Sequence, residues 1–305
     1  MMTKVGIDLR GGDYAPTAVL EGLEKALPLL QNQTQVHLFG LEEDFQNLPS
    51  GNWQSHRCSE VIGMHEHPVK ALQLKGDSTL LRAFKALKMG AIDVLASAGH
   101  SGAMMVASMQ VLGPIPGISR PAVVSVFPKL NGGKMVVLDV GINVDAKPEQ
   151  FLEFAKLGKA YAQSVLNIAE PRLALLNTGE ESSKGNLLYQ KAHSLLREGE
   201  SNFGGNLEAR YLYDNDFDVI LCDGFTGNMV LKQTEAFYNL ATKRGISDPF
   251  IDRLNYEEYG GSPILGINGN VILAHGASGP EAIKSMILSA ESFALANFVQ
   301  QITSI

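Results

Sequence analysis

The sequence predicts an α/β protein, three layers deep (α/β/α), built around a mostly parallel sheet. Three observations carry this reading. Short apolar runs rich in β-branched residues alternate with stretches of helical periodicity along most of the 305 residues. The runs end in a small or polar residue followed closely by glycine, and no Pro/Gly/Ser-rich linker interrupts the series. One large unit, residues 1–305, is therefore expected, with two lobes around a cleft as its variant. In this class ligands bind at the carboxyl ends of the strands.

Taken in order, Val5–Leu9 reads as a strand and leads into Gly11, Gly12 and Asp13, after which Pro16 opens a helix whose apolar positions recur to Leu30. Val36–Phe39 is a second strand and Glu42–Leu48 a short helix, while Gly51–Cys58 has no clear period. Val61–Met64 reads as a strand, His65–Pro68 as a polar loop, and Ser78–Met89 as a helix stopped by Gly90. Val94–Ala98 is a strand that delivers SAGHSGA to an apolar helix. Val123–Phe127 and Met135–Val140 are strands, and Pro148 opens a helix to about Val165. Arg172–Leu176 is a strand followed by a helix over Leu187–Arg197; Val219–Cys222 is another, with a helix reaching Tyr238. Tyr259–Asn268 reads as a glycine-punctuated turn and Val271–Ala274 as the last strand. Beyond Pro280, apolar residues from Ile283 to Phe298 hold helical spacing and are expected to pack across the sheet.

Composition excludes several functions. With 45% hydrophobic and 19% charged residues the chain reads as soluble and globular, and its net charge of −7 argues against nucleic acid or an anionic membrane as the main partner. Cys58 and Cys222 follow no metal or redox spacing and read as reduced thiols of a cytoplasmic protein. The first apolar run stops at Asp8, before a signal-peptide core forms. The most apolar window, Ala103–Ile118, contains Gln110, Pro114 and Pro116 and falls short of the ~20 residues a membrane-spanning helix needs. His65 and His67 alternate on a loop without a third ligand, so no metal centre is expected.

The candidate chemistry lies at six strand ends: Asp8 with Gly11 and Gly12, Ser97 with Gly99, Asp139 with Gly141, Asn177 with Gly179, Asp223 with Gly224, and His275 with Gly276. Gathered on one sheet edge, they would line a crevice whose backbone N–H groups take phosphate or another small oxyanion. The densest stretch is LLNTGEESSKGN, Leu175–Asn186. No GxGxxG follows a strand, NGGKM lacks the length and hydroxyl of a P-loop, and there is no GxSxG elbow. Neither a nucleotide cofactor nor a covalent enzyme intermediate is expected.

In order along the chain, DLRGGDYAP, HPVKALQLKGDS, SAGHSGA, LDVGINVD, NTGEESSKGN, NFGGNLEAR, CDGFTGN and YGGSPILGINGNVILAHGAS resemble the phosphate acyltransferase family of bacterial phospholipid synthesis, PlsX. The resemblance covers essentially the whole chain. It implies a homodimeric enzyme that moves a fatty acyl group from acyl carrier protein to inorganic phosphate, giving acyl phosphate, without a cofactor. It also implies a fold similar to isocitrate and isopropylmalate dehydrogenases. Alternatives are acyl-CoA:phosphate transfer of the phosphotransacetylase type, and a non-catalytic homologue that binds acyl phosphate or carrier protein. Three departures stand out: Arg10 in DLRGGD, His100 and Ser101 in SAGHSGA, and a shortened helical segment before Tyr259. The last counts against the peripheral membrane contact associated with the family's longer segment.

For that reaction, backbone N–H groups near Gly12, Gly179 and Gly227 are expected to hold phosphate, with Lys184 offsetting its charge or that of the oxyanion. Asn177 and Asn228 would orient the substrate, and His275 is the candidate for proton transfer. Asp8, Asp139 and Asp223 are expected to position loops and Lys184, because a carboxylate facing phosphate repels it. Ser97, Gly99 and Ser101 of SAGHSGA, with Gly11, Asp13, Asn143 and Glu180 of the other motifs, complete the candidate substrate-binding set. Arg82, Lys85 and Lys88 share a helical face and are the candidate docking row for the acidic carrier protein.

Overall fold

A computed structural model describes residues 2–46 and 48–303; Asn47, within the expected helix Glu42–Leu48, lies outside the described residues. The chain divides into two compact units, Met1–Ile115 with Tyr256–Val299, and Pro116–Asn255 with Gln300–Ile305. Followed from the N-terminus, the first unit contributes β1 (Thr3–Asp8), α1 (Thr17–Ala26), β2 (Thr34–Gly40), β3 (Trp53–Arg57), α2 (Pro68–Leu74), α3 (Thr79–Lys88), β4 (Val94–Ser97) and α4 (Ser101–Ala107). The second is built from β5 (Ala122–Pro128), β6 (Lys134–Leu138), α5 (Gln150–Ser164), β7 (Leu173–Asn177), α6 (Leu187–Gly199), β8 (Phe203–Glu208), β9 (Val219–Leu221), α7 (Gly224–Lys243) and α8 (Pro249–Asp252). The chain then returns to the first unit with α9 (Tyr256–Tyr259), β10 (Ser262–Leu265), β11 (Asn270–Leu273) and α10 (Pro280–Leu295).

In the first unit the strands run β3-β2-β1-β4-β11-β10, parallel except for β10 against β11. Ile7 of β1 stands opposite Leu38 and Ala96, and all three are buried, as strands covered on both faces require. The helical spacing beyond Pro280 does its expected work: α10 packs on α1, β1, β4 and β11, burying Ile283, Met286, Ile287, Ala290 and Phe293. Gly22 of α1 permits the close approach, since a Cβ there would lie 2.5 Å from Ile283. Ser78 caps α3, accepting the Leu81 N–H, and Gly90 at φ 69° follows its end. In the second unit the order is β5-β6-β9-β7-β8, parallel except for β5 against β6.

Five elements differ from the sequence reading, each for a local reason. Val61–Met64 forms no strand; the nearby pairing is a single bridge between Glu60 and Ser78. Pro68 starts helix α2 where a loop running on to Ser78 was expected, because its fixed φ suits a first helical turn. β3 pairs only with β2 and is half exposed, so its residues lack a buried pattern. β10 lies within the stretch that reads as a glycine-punctuated turn, and β8, which carries two glycines, does not read as a strand.

Candidate active site

Three of the six strand ends lie in the first unit. The Asp8 carboxylate is buried and accepts the Ser97 hydroxyl at 2.8 Å and the Arg10 N–H at 3.1 Å, while Ser97 Oγ accepts the Gly99 N–H at 2.9 Å. Burial pushes the Asp8 carboxyl above the usual carboxylate range, opposed by hydrogen bonds from Thr79, Ser97 and Arg10. A side chain on Gly11 would meet Ser97 Oγ at 2.4 Å, so the loops after β1 and β4 close on each other only with glycine there. Gly12, at φ +116°, turns the chain so that the Asp13 N–H reaches the Gly276 carbonyl at 2.7 Å. Asp13, Ser101 and His275 are exposed, and His275 Nδ1 accepts the Ala277 N–H at 3.1 Å.

The two sequence departures in this unit are structural. Arg10 donates to Asp44 at 2.9 Å and to Glu43 at 2.8 Å, so its charge is already matched within the protein. His100 caps α4: Nδ1 accepts from the Gly102 and Ala103 N–H groups at 3.1 and 3.4 Å, and Nε2–H donates to the Glu66 carbonyl at 2.9 Å. Both ring nitrogens are thereby occupied.

The second unit holds the other three. Asp139, with no exposed surface, accepts N–H groups of Val123 at 3.0 Å, Gly141 at 3.2 Å, Ile142 at 3.1 Å and Asn143 at 2.5 Å, and the Asn143 side-chain amide at 2.8 Å. Three successive amides after β6 thus form an anion nest that the chain's own carboxylate fills. Burial raises the Asp139 pKa against these bonds. Asp223 orders the loop after β9 differently, capping α7 by accepting the Thr226 N–H and hydroxyl, both at 2.9 Å, and the Tyr189 hydroxyl at 2.5 Å. The Gly224 N–H goes to the Asn143 carbonyl and the Gly227 N–H to the Asp223 carbonyl, both at 2.9 Å, so the amide of Gly227 is already committed. A Cβ on Gly227 would sit 1.9 Å from the Asp139 carbonyl oxygen, which is why α7 begins with glycines. Asn228 follows, exposed.

The loop after β7 is built differently. Asn177 is buried and folds the loop on itself, donating to the Lys184 carbonyl at 3.3 Å and accepting the Thr178 N–H at 2.8 Å. Gly185 at φ +83° lets the chain turn back, and the Lys184 stem lies over Gly179, where a Cβ would be 2.8 Å from Cγ. From β8, Asn206 pins the far side by donating to the Glu181 carbonyl at 2.8 Å. Glu180 and the loop tip are exposed. Among the described residues the amides from Gly179 to Ser183 donate to nothing. The Lys184 ammonium, 48% exposed, lies 3.8 Å from Glu181 and pairs with neither Asp139 nor Asp223, so the expectation that these aspartates position it is corrected.

Sequence reasoning missed Tyr189 and Asn206, whose partners lie on other elements. The one signal was an aromatic hydroxyl on the buried face of α6, which needs a partner when covered. In the docking row, Arg82 is bound to Asp77 at 2.5 Å, while Lys85 and Lys88 are exposed. Among the described residues no group of three His, Cys, Asp or Glu is placed to hold a metal.

Solved structures place the fold. A branched-chain phosphotransacylase from Enterococcus faecalis V583 matches 96% of this chain and 99% of its own with a TM-score of 0.68 at 17% identity. A phosphotransacetylase from Streptococcus pyogenes matches 96% and 94% with a TM-score of 0.65 at 19% identity. The class is that of α/β proteins with this mostly parallel architecture. A family model described as "Fatty acid synthesis protein" matches residues 3–244, and the phosphate acyltransferase of Staphylococcus aureus strain MRSA252 is 41% identical over 98% of this chain and 97% of its own length. The chain belongs to this phosphate acyltransferase family, whose members are enzymes.

Proposed function

We propose that the protein transfers a fatty acyl group from the thioester of acyl carrier protein to inorganic phosphate, producing acyl phosphate for phospholipid synthesis. One observation carries the assignment of the phosphate. Of the loops after β6, β7 and β9, those after β6 and β9 are ordered by internal carboxylates, whereas the loop after β7 offers uncommitted amides beside Lys184. An anion is attracted to amide donors that no carboxylate already occupies, beside a lysine whose own partner, Glu181, is exposed and 3.8 Å away.

In this reading a phosphate oxygen attacks the thioester carbonyl carbon; the C–O bond forms, the C–S bond breaks, and sulfur departs with the electron pair as thiolate. Negative charge passes from phosphate to the carbonyl oxygen and then to sulfur. Lys184 and the Gly179–Ser183 amides hold phosphate and the developing oxyanion, where a single donor is typically worth ~3–4 kcal/mol. Asn177, its side chain spent on the loop, acts as a positioning residue. Asn228 supplies an exposed amide for orientation. Lys184→Ala is expected to lower kcat/KM for phosphate by about 10²–10³, read as acyl phosphate trapped with hydroxylamine, and Asn228→Ala by a smaller factor. Near-normal rates from a folded Lys184→Ala variant would sink the assignment.

We also propose a cytoplasmic homodimer. Phe225, Met229, Phe237 and Leu240 are exposed on α7, a helix that buries little of itself, and sedimentation of the full chain tests whether a second copy covers them. Among the described residues no helix is long and apolar enough to cross a membrane.

A further inference from the structure

We propose that the outer face of α2 and α3 is the docking surface for an acidic protein that carries the acyl thioester. This rests on the acyl transfer proposed above but assigns a surface of its own. The exposed side of α3 runs through Lys85, Lys88 and, just past its end, Met89, while Leu80, Phe84 and Leu87 face the core. Lys85 donates to the Gly76 carbonyl at 3.1 Å, which ties this stripe to the segment that follows α2. On α2, Lys70 and Leu74 are four residues apart and share the exposed face. Leu74 and Met89, 79% and 76% exposed, are the most exposed large apolar side chains among the described residues.

The charges around them are uncompensated. Lys75 is held by Glu66 and Arg82 by Asp77, but among the described residues Lys70, Lys85 and Lys88 pair with no carboxylate. Arg82 therefore leaves the expected docking row and Lys70 enters it. Two highly exposed apolar side chains and three lysines without a carboxylate partner, on a chain of net charge −7, match a partner that presents apolar side chains between carboxylates. A membrane is a poorer match: α3 spends its apolar stripe on the core and α2 has seven residues, so no amphipathic helix remains to insert.

The test compares donors in the full chain. In a Lys70→Glu, Lys85→Glu, Lys88→Glu variant, kcat/KM for the acylated carrier protein should fall at least tenfold at low salt and lose most of its salt dependence. The rate with acyl-pantetheine, which has no carrier, should be unchanged. Leu74→Ser with Met89→Ser should raise KM for the carrier several-fold while keeping the salt dependence. Unchanged carrier kinetics, or equal losses on both donors, would overturn the proposal. So would binding to phosphatidylglycerol vesicles that the lysine variant abolishes while carrier kinetics persist. Titrating isotope-labelled carrier protein with the wild type and the variant reads docking without turnover: lost shifts in the variant support the surface even if no acyl phosphate forms, and acyl phosphate formed without wild-type shifts overturns the surface alone.

Discussion

Gly227 concentrates what single residues do in this protein. Its missing side chain lets the first turn of α7 rest on the Asp139 carbonyl, and Asp139 in turn gathers the amides that order the loop after β6. Gly227→Ala must displace backbone rather than a flexible side chain, so it should destabilise the fold by about 1–3 kcal/mol, measured by urea unfolding; an unchanged midpoint would mean the helix can shift freely. The same contact explains why DGFTG was legible as a motif while its role was not. Read as a sequence, it offers glycines and an aspartate at a strand end. Only the folded chain reveals that the Gly227 N–H is bonded within its helix and that both Asp139 and Asp223 point inward. Asn177, expected to orient substrate, instead bonds within its own loop, to the Lys184 carbonyl and the Thr178 N–H.

At the scale of elements, legibility followed burial. Covered parallel strands such as β1, β4 and β7 are continuous apolar runs, and α10 is periodic because it packs on three strands and a helix. Edge and glycine-rich strands gave no such signal, β3 above all. Its pairing with β2 contains His37, buried, with Nδ1 2.9 Å from His56 Nε2 and Nε2 3.2 Å from Gln35, while Phe39 stacks on His56 at 4.5 Å. Burial first, and the proximity of His56 second, lower the His37 pKa to about 4. In the unfolded chain a histidine takes its proton near 6.5, so the stabilising contribution of the neutral ring is complete above that pH and is lost as pH falls from about 6.5 to 4. Acidification through this window should cost about 2–3 kcal/mol, and His37→Gln should flatten this part of the stability profile. An unaltered acid limb in that variant would exclude the histidine pair as its source.

For the molecule as a whole, both units repeat one scheme of mostly parallel strands ending in polar, glycine-bearing loops, and the sequence carried that scheme through the alternation of runs and turns. What it did not carry is that these loops are of two kinds. After β6 and β9 the chain supplies its own anion, so the order of those loops is independent of any ligand. After β7 no carboxylate takes the loop amides, although Glu181 lies 3.8 Å from Lys184. Phosphate should therefore change amide hydrogen exchange unevenly: protection at Gly141–Asn143 should be the same with and without it, whereas Gly179–Ser183 should become protected on its addition. Equal gains in both segments would contradict the division. A loop whose nest is filled by its own carboxylate keeps its shape at any phosphate concentration, so under the proposed reading a change of shape with phosphate is expected in the segment after β7 and not in the one after β6.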